Sequence, residues 1–400
     1  DTDRARSKPE YEAAIERDLL WLGLDWTLKE RQSERLAHYD SARDRLVAAG
    51  WLYPCYETPE ELEFKRKRLL AQGRPPVYDR AALRLGDADR AKFEAEGRKP
   101  HWRFKLASEE VRWDDLVRGP QHVDEASQSD PVLVRADGSC LYSFTSVVDD
   151  IDFGITHVIR GEDHVTNTGA QIQMFAALGG PVPAFAHLPL LVDAAGGGHS
   201  KRAGSLSIGE LRERGIEALA VNALLARIGT ADPVEPVTSL DALVATVDFA
   251  RVGRAAARFS EEELAHLSAR TLHVLSYDAV RSRLEGDPGE AFWLAVRGNL
   301  ATLGDARIWA EVVRGPIVPT IEDAGFLADA AGKLPSEPWS EATWKEWTQA
   351  VSAASGRKGR ALFHPLRLAL TARENGPEMA KLLPLIGRAK AEVRLKGQEA

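Results

Sequence analysis

The sequence predicts an α/β region joined to an all-α region. Three observations carry that prediction. Extended apolar runs at 155–159 and 185–192 flank a helical segment at 168–178, the order of a βαβ unit with a parallel sheet. After Gly196-Gly197-Gly198 the apolar residues recur at helical spacing almost to the end. Upstream, 65–129 is dense in charge, poor in apolar periodicity and broken at Gly73-Arg74-Pro75-Pro76, so it reads as an inserted, irregular α+β region.

The elements follow in order. Ser7-Lys8-Pro9-Glu10 has the pattern of a capping box. The helix it opens carries Tyr11, Ile15, Leu19 and Leu22 inward and stops at Gly23. A second helix fits 33–49, with Leu36, Tyr39, Leu46 and Val47 inward and Gly50 after it. Thr58-Pro59-Glu60-Glu61 starts a third by the same cap logic. Val132-Leu133-Val134 is a short strand, and Asp137-Gly138 is a hairpin turn signal. In the helix at 168–178, Ile172 and Phe175 share one face. Leu211, Leu219, Leu224, Leu225 and Ile228 lie in amphipathic runs, interrupted at Asp232-Pro233 and Pro236.

Composition narrows the function classes. The chain has 400 residues, 44% of them hydrophobic, which excludes wholesale disorder and suggests two to three domains of roughly 150 residues each. Lys+Arg 52 against Asp+Glu 60 leaves a net charge of −8, which argues against indiscriminate nucleic-acid binding but leaves room for a local basic groove. No window reaches the ~18 unbroken apolar residues of a membrane span. The richest stretch, 182–192, is interrupted by His187 and two prolines. Two cysteines exclude a disulfide scaffold and point to a reducing, cytoplasmic compartment. The opening Asp1-Thr2-Asp3-Arg4 has neither an initiator Met nor a signal peptide, so the natural beginning is expected upstream.

The common chemistry motifs are missing: no Gly-x-Gly-x-x-Gly, no Gly-x-x-x-x-Gly-Lys-Ser/Thr, no His-Glu-x-x-His and no Gly-x-Ser-x-Gly. Cys55 and Cys140 lack the paired spacing that zinc needs and read as small, partly buried hydrophobes. The sharpest local feature is Gly196-Gly197-Gly198-His199-Ser200-Lys201-Arg202-Ala203-Gly204. Glycines let a backbone approach a phosphate, free N–H groups form an anion nest, and Lys and Arg bring charge. Alone, such a patch is ordinarily a solvated basic loop. The second feature is Arg160-Gly161-Glu162-Asp163-His164, just beyond the strand at 155–159, where ligands of parallel sheets bind. Arg160 can hold a carboxylate with both arms of its guanidinium; an internal ion pair with Asp163 or Glu162 explains the spacing equally well.

Read in order, longer blocks carry a resemblance. They are Asp1-Thr2-Asp3-Arg4, Leu19-Leu20-Trp21-Leu22-Gly23-Leu24, Arg31-Gln32-Ser33-Glu34-Arg35 and Glu57-Thr58-Pro59-Glu60-Glu61-Leu62. Val147-Val148-Asp149-Asp150, then Gly154-Ile155-Thr156-His157-Val158-Ile159 running into Arg160 to His164, is the most specific block. Ser200-Lys201-Arg202 and Phe363-His364-Pro365-Leu366-Arg367-Leu368-Ala369-Leu370-Thr371 complete the set. Together they resemble bacterial glutamyl-tRNA synthetase, a class I aminoacyl-tRNA synthetase.

The resemblance implies a class I Rossmann-type catalytic domain with an inserted acceptor-binding region, followed by a helical anticodon-binding region. On it, 1–54 and 131–197 are the two parts of the catalytic domain, and 55–130 is the insertion. Residues 198–275 are the KMSKS-like loop with a stem-contact region, and 276–400 is the anticodon-binding region. Lys201, Ser200 and Arg202 match the second half of the family's Lys-Met-Ser-Lys-Arg motif, with Lys201 on the ATP phosphates. Gly198 and His199 replace that motif's first two residues, so one phosphate-contacting charge is gone. Asp163 and Leu191 fall where the family touches adenosine. Tyr142, Arg160 and His164 fall where it holds glutamate and the adenylate, His164 standing where some members carry Trp. The family's His-Ile-Gly-His-like motif would lie upstream of Asp1.

Of the basic runs, Lys65, Arg66, Lys67 and Arg68 open the insertion, while Arg357, Lys358 and Arg360 lie in the anticodon region near Arg367 and Arg373. A charge run is ordinarily a solvated face; the resemblance makes both tRNA-phosphate candidates. Trp339, Trp344 and Trp347 read as core residues rather than base-stacking ones. The implied reaction joins glutamate to tRNA-Glu, with tRNA-Gln a further possibility, using ATP with Mg²⁺. No zinc, no membrane and a monomer are expected. The rivals are a glutamyl-queuosine tRNA synthetase paralogue, which lacks the anticodon region, and a non-catalytic tRNA-binding relative.

Overall fold

The computed structural model describes residues 1–2, 7–193, 196–197 and 206–400. They form two compact units. The first comprises Asp1–Ala203, Ile228–Asp232 and Val247–Phe259; the second comprises Gly204–Arg227, Pro233–Thr246 and Ser260–Ala400.

In the first unit, α1 (Pro9–Trp21) starts one residue later than a Ser7 cap would place it. Lys8 is its N-cap and makes no side-chain cap bond. Pro9 takes the first helical position, for which its fixed φ is suited. The face expected to point inward does so only at its end: Leu22 is buried and Leu19 half-buried, but Tyr11 and Ile15 are 56% and 61% exposed. With Leu19, Trp26 and Leu28 they line an open cavity of about 970 Å³. In α2 (Leu36–Ala48) the buried stripe is Tyr39, Ala42 and Leu46. Leu36 and Val47, also expected inside, are exposed. Val47 lies about 100° around the helix from Leu46, and Leu36 is the first helical residue.

Strand β1 (Leu52–Cys55) is followed by α3 (Pro59–Ala71), whose Thr58–Glu61 capping box forms as expected. The charge-dense stretch then folds as α4 (Asp87–Ala95), β2 (His101–Phe104), β3 (Glu110–Asp115) and β4 (Gly119–Asp124). After β5 (Val132–Val134) the chain turns tightly: Gly138 has φ +86°, and Val134 bridges Cys140. Helix α5 (Tyr142–Asp152), β6 (His157–Gly161), α6 (Val165–Leu178) and β7 (Ala184–Leu188) follow, then β8 (Leu191–Val192) and β9 (Ala257–Arg258).

The expected βαβ unit is present: β6 and β7 pair in parallel, Val158 opposite Phe185 and Arg160 opposite His187. Their sheet has the order β4-β3-β7-β6, in which β3 is parallel to β7 and antiparallel to β4. Strand β3 lies inside 55–130, so that stretch contributes a strand to the same sheet as β6 and β7. A separate antiparallel sheet has the order β1-β2-β5. Helices α2, α5 and α6 pack over these sheets through Tyr39, Leu46, Phe144, Val147, Met174 and Phe175, against Phe104, Leu133 and Phe185. Gly179 ends α6 in the left-handed conformation that a residue without Cβ adopts freely.

The second unit is helical, as the periodicity after residue 198 predicts. It comprises α7 (Ile208–Glu213), α8 (Ala218–Arg227), α9 (Leu240–Val244), α10 (Glu261–Val274), α11 (Tyr277–Val280), α12 (Glu290–Val296), α13 (Ala306–Arg314), α14 (Ala324–Ala331), α15 (Glu341–Ser355), α16 (Arg360–Thr371), α17 (Met379–Ile386) and α18 (Arg388–Leu395). One apolar core runs from Leu272 to Leu395 and crosses residue 275 without a break. Trp347 is buried and donates its indole N–H to the Ala330 carbonyl at 2.9 Å; Trp339 and Trp344 pack against the same core. Among the described residues no helix is long and apolar enough to cross a membrane.

Candidate functional site

Strands β6 and β7 run in the same direction, so their carboxyl ends open at one edge of the sheet. Arg160 is the penultimate residue of β6, and Gly161 ends it. The short helical turn Glu162–His164 then leads into α6. A Cβ on Gly161 would meet Asp163 Oδ1 at 2.6 Å and Leu190 Cδ2 at 3.4 Å, so glycine is what lets these two residues close in there. Leu190 and Leu191 are both exposed, and Asp163 has an exposed side chain. Tyr142, the first residue of α5, stacks at a tilt on His164 with ring centroids 5.4 Å apart. Sequence positions 142, 160, 163 and 164 thus come from one strand edge and the start of one helix. Leu191 follows in β8, three residues after β7 ends.

Arg160 is half anchored from within. Its Nε donates to His187 Nε2 at 3.2 Å, and its Nη2 donates to Thr168 Oγ1 at 2.7 Å and to the His164 carbonyl at 3.5 Å. Neither reading of the spacing foresaw this: Arg160 makes no ion pair with Asp163 or Glu162 among the described residues. Glu162 pairs instead with Arg118 at 2.5 Å. Behind Arg160, His187 Nδ1 lies 2.5 Å from Asp115 Oδ2, and both side chains are fully buried. Asp115 Oδ1 accepts from the backbone N–H groups of Val117, Arg118 and His187. Burial works to raise the Asp115 carboxyl, but these bonds, His187's foremost, outweigh it and hold it below the ordinary range. For His187 burial wins over the pull of Asp115, and the imidazole is held neutral. Nearby, burial and the Asp149 charge push the Asp150 carboxyl up to about 6, against the pull of Arg160.

The basic loop candidates Ser200, Lys201 and Arg202 lie outside the described residues, as do Gly198 and His199. The stem of that loop is ordered by Asp193, whose Oδ1 accepts from the Gly197 N–H at 2.7 Å and whose carbonyl accepts from Gly196.

The two basic runs are sorted by their contacts. Lys65 is engaged internally, paired with Glu57 at 3.3 Å and Asp79 at 3.4 Å and set over the Tyr78 ring. Arg66 and Lys67 make only loose pairs with Glu63, 3.6 and 3.9 Å long, and both are exposed, as is Arg68. In the second run Arg357 binds Asp323 and lies over Phe326 at 4.1 Å, which fixes the start of α14. Lys358 and Arg360 are exposed. Arg367 donates to the Pro377 carbonyl and is largely internal.

Cys55 does not stand alone. Its thiol, the Glu57 carboxylate and His101 place one donor atom each within 4.8 Å of one another. Glu57 Oε2 and His101 Nε2 are buried without a hydrogen-bond partner among the described residues. The cluster is one donor short of the closed four-ligand shell of a structural zinc site. Tyr78 borders it, its hydroxyl donating to Glu57 at 2.8 Å. Burial pushes the Cys55 thiol up to about 12.

Sequence reasoning missed His187, Asp115 and Thr168. The available signal was an ionisable residue, His187, in the middle of an otherwise apolar strand, which burial makes costly unless it is partnered.

The comparisons with known proteins agree along the whole chain. The family described as "tRNA synthetases class I (E and Q), catalytic domain" matches residues 1–266, and the "Anticodon binding domain" family matches 320–398. The chain is 58% identical to a glutamate–tRNA ligase of Beijerinckia indica, over 100% of this chain and 90% of that one. It is 56% identical to a glutamate–tRNA ligase of Azospirillum brasilense, over 100% and 91%. The fold matches a crystal structure of a glutamate tRNA ligase from Elizabethkingia meningosepticum with TM-score 0.80 at 24% identity, covering 99% of this chain and 90% of that one.

Proposed function

Because the chain belongs to the class I tRNA synthetases of the glutamate and glutamine group, we infer that it attaches glutamate to tRNA using ATP. The reaction has two steps. The glutamate carboxylate attacks the ATP α-phosphate, giving glutamyl-adenylate and pyrophosphate; a ribose hydroxyl of the terminal tRNA adenosine then attacks the acyl carbon and releases AMP. ATP brings Mg²⁺, which neutralises phosphate charge. The protein's part is to hold the reactants side by side and to stabilise charge where it develops.

The observation that carries this reading is the outward end of Arg160. Its Nε and Nη2 are held from behind, while Nη1 donates to no acceptor among the described residues. A planar fork at the carboxyl edge of a parallel strand pair suits a substrate carboxylate. Tyr142 and His164 flank it and serve the glutamate and adenylate. Asp163 and Leu191 border the adenosine, and Lys201, with Ser200 and Arg202, meets the phosphates. The exposed cations Arg66, Lys67 and Arg68, and separately Lys358 and Arg360, contact tRNA phosphates. Residues 55–130 approach the acceptor end, 198–275 the stem and 276–400 the anticodon. The helical second unit and the anticodon-domain match favour this over a queuosine-type paralogue without such a region.

Aminoacylation by the complete gene product, with tRNA-Glu and tRNA-Gln in parallel, tests the function and decides whether both are substrates. Arg160→Lys should raise the KM for glutamate about tenfold or more, since a charge-assisted bond contributes about 1.5 to 3 kcal/mol and an ammonium cannot reproduce the fork. An unchanged glutamate KM and turnover would sink the carboxylate role.

A further inference from the structure

We propose that Asp115 and His187 are positioning residues that aim Arg160 at the glutamate carboxylate by fixing one tautomer of His187. The proposal rests on the reading of Arg160 as the carboxylate-binding group. Asp115, the last residue of β3, accepts three backbone N–H groups through Oδ1 and is fully buried. Its carboxyl is held below the ordinary range, so it is an acceptor only. His187 Nδ1, 2.5 Å away, must therefore carry the proton and donate it. In a neutral imidazole that leaves Nε2 as a lone pair, and the lone pair faces Arg160 Nε–H at 3.2 Å. The other tautomer would place an N–H against an N–H there. Neutrality is equally required, because imidazolium would oppose the guanidinium; the Arg160 and Arg118 charges help to disfavour that form.

Thr168 completes the cradle. Its Oγ1 accepts from Arg160 Nη2 at 2.7 Å, and its single proton has two acceptors in reach, the His187 Nε2 lone pair at 3.1 Å and the His164 carbonyl at 3.2 Å. The ring of Phe185 lies 5.7 Å from the guanidinium carbon. Arg160 is thus pinned along its Nε edge, and the Nη1 end is presented outward. The pin crosses three neighbouring strands, β3, β7 and β6, so the position of Arg160 is set by the sheet rather than by its own loop. A group held this way loses less rotamer freedom when the carboxylate arrives, which is the physical content of preorganisation.

The test uses Asp115→Asn in the complete gene product. The asparagine amide keeps the shape and one carbonyl acceptor but turns a donor toward His187 Nδ1, driving the proton to Nε2. Nitrogen NMR of the His187 ring should report the switch of tautomer. The KM for glutamate should rise about tenfold, the scale of one misdirected hydrogen bond, with the KM for ATP within twofold. His187→Gln, whose Oε1 can take the Nε2 position, should retain glutamate use better than His187→Leu, which removes the acceptor. If Asp115→Asn does not fold, Thr168→Val, nearly isosteric, removes one anchor of Arg160 and should shift the glutamate KM selectively. Equal changes in both KM values, or a melting loss with kinetics unchanged, would overturn the positioning role. An Arg160→Lys protein with normal glutamate KM would remove the underlying reading instead. Normal kinetics in Asp115→Asn beside a defective Arg160→Lys would overturn only the positioning role.

Discussion

Arg35 and Asp149 join the start of α2 to the middle of α5. The guanidinium Nε donates to Asp149 Oδ1 at 2.8 Å, and Nη2 reaches Asp152 at 2.6 Å. Asp149 also accepts from Tyr39 at 2.9 Å and Gln32 at 2.8 Å, so its oxygens are fully used. Arg35 lies over the Phe153 ring at 4.4 Å. Both charged side chains are nearly buried, 10% and 13% exposed.

Removing one partner of this network leaves the other buried and unpaired. Asp149→Ala should therefore cost about 3 kcal/mol. The first unit's melting temperature should fall by roughly 6 to 12 °C, at 2 to 4 °C per kcal/mol for a unit of its size. Calorimetry checks this, and a fall under ~2 °C would show that the network contributes little.

Glu125 should make stability fall as pH rises. It is buried, and burial, with Asp124 adding to it, pushes its carboxyl from 4.5 up to about 7. Below pH 4.5 both states hold the proton. Between 4.5 and 7 the unfolded chain ionises while the folded one resists, so folding loses stability on the order of 3 kcal/mol across that window. Glu125→Gln should flatten the difference between melts at pH 5 and pH 8. An unchanged difference would show that other groups dominate it. The same residue explains Gly169, where an added Cβ would meet Glu125 Oε1 at 2.0 Å.

Lys201→Ala should slow adenylate formation while leaving the fold intact. Loss of one charge-stabilising group at a developing anion costs roughly 3 to 4 kcal/mol, about a hundred- to thousand-fold in rate. Gly198 in place of a second cation makes compensation harder. Pyrophosphate exchange in the presence of tRNA measures it; a rate near wild type would remove the phosphate role.

The basic runs should separate by exposure. Arg66, Lys67 and Arg68 replaced together by Ala should weaken tRNA binding and lower the salt slope by about one unit per lost phosphate contact. Lys358 and Arg360 should behave likewise. Lys65→Ala and Arg357→Ala should instead disturb local packing, because both cations already hold carboxylates. Filter binding across a salt series distinguishes the two classes, and a full salt effect from Lys65 alone would contradict the assignment.

Signals that live within a few residues are legible in the sequence by itself. The Thr58–Glu61 capping box, the turn at Gly138, the helix stop at Gly50 and the paired runs around α6 all depend on local backbone chemistry and side-chain period. The order of the family blocks is legible for the same reason, being a property of the chain rather than of its folding. That is why fold class and function can be read from residues alone.

Tertiary structure decided which polar groups meet. Arg160 and His187 are 27 positions apart, and His187 and Asp115 are 72 apart; only the register of β6, β7 and β3 brings them together. Cys55 gained neighbours from β2, and Lys65 and Arg357 were taken up by carboxylates that no local pattern pairs with them. The exposed Tyr11 and Ile15 of α1 make the same point for apolar residues. Periodicity states that a helix has an apolar side, but burial is a relation between elements, and a single stretch of sequence does not contain its partner.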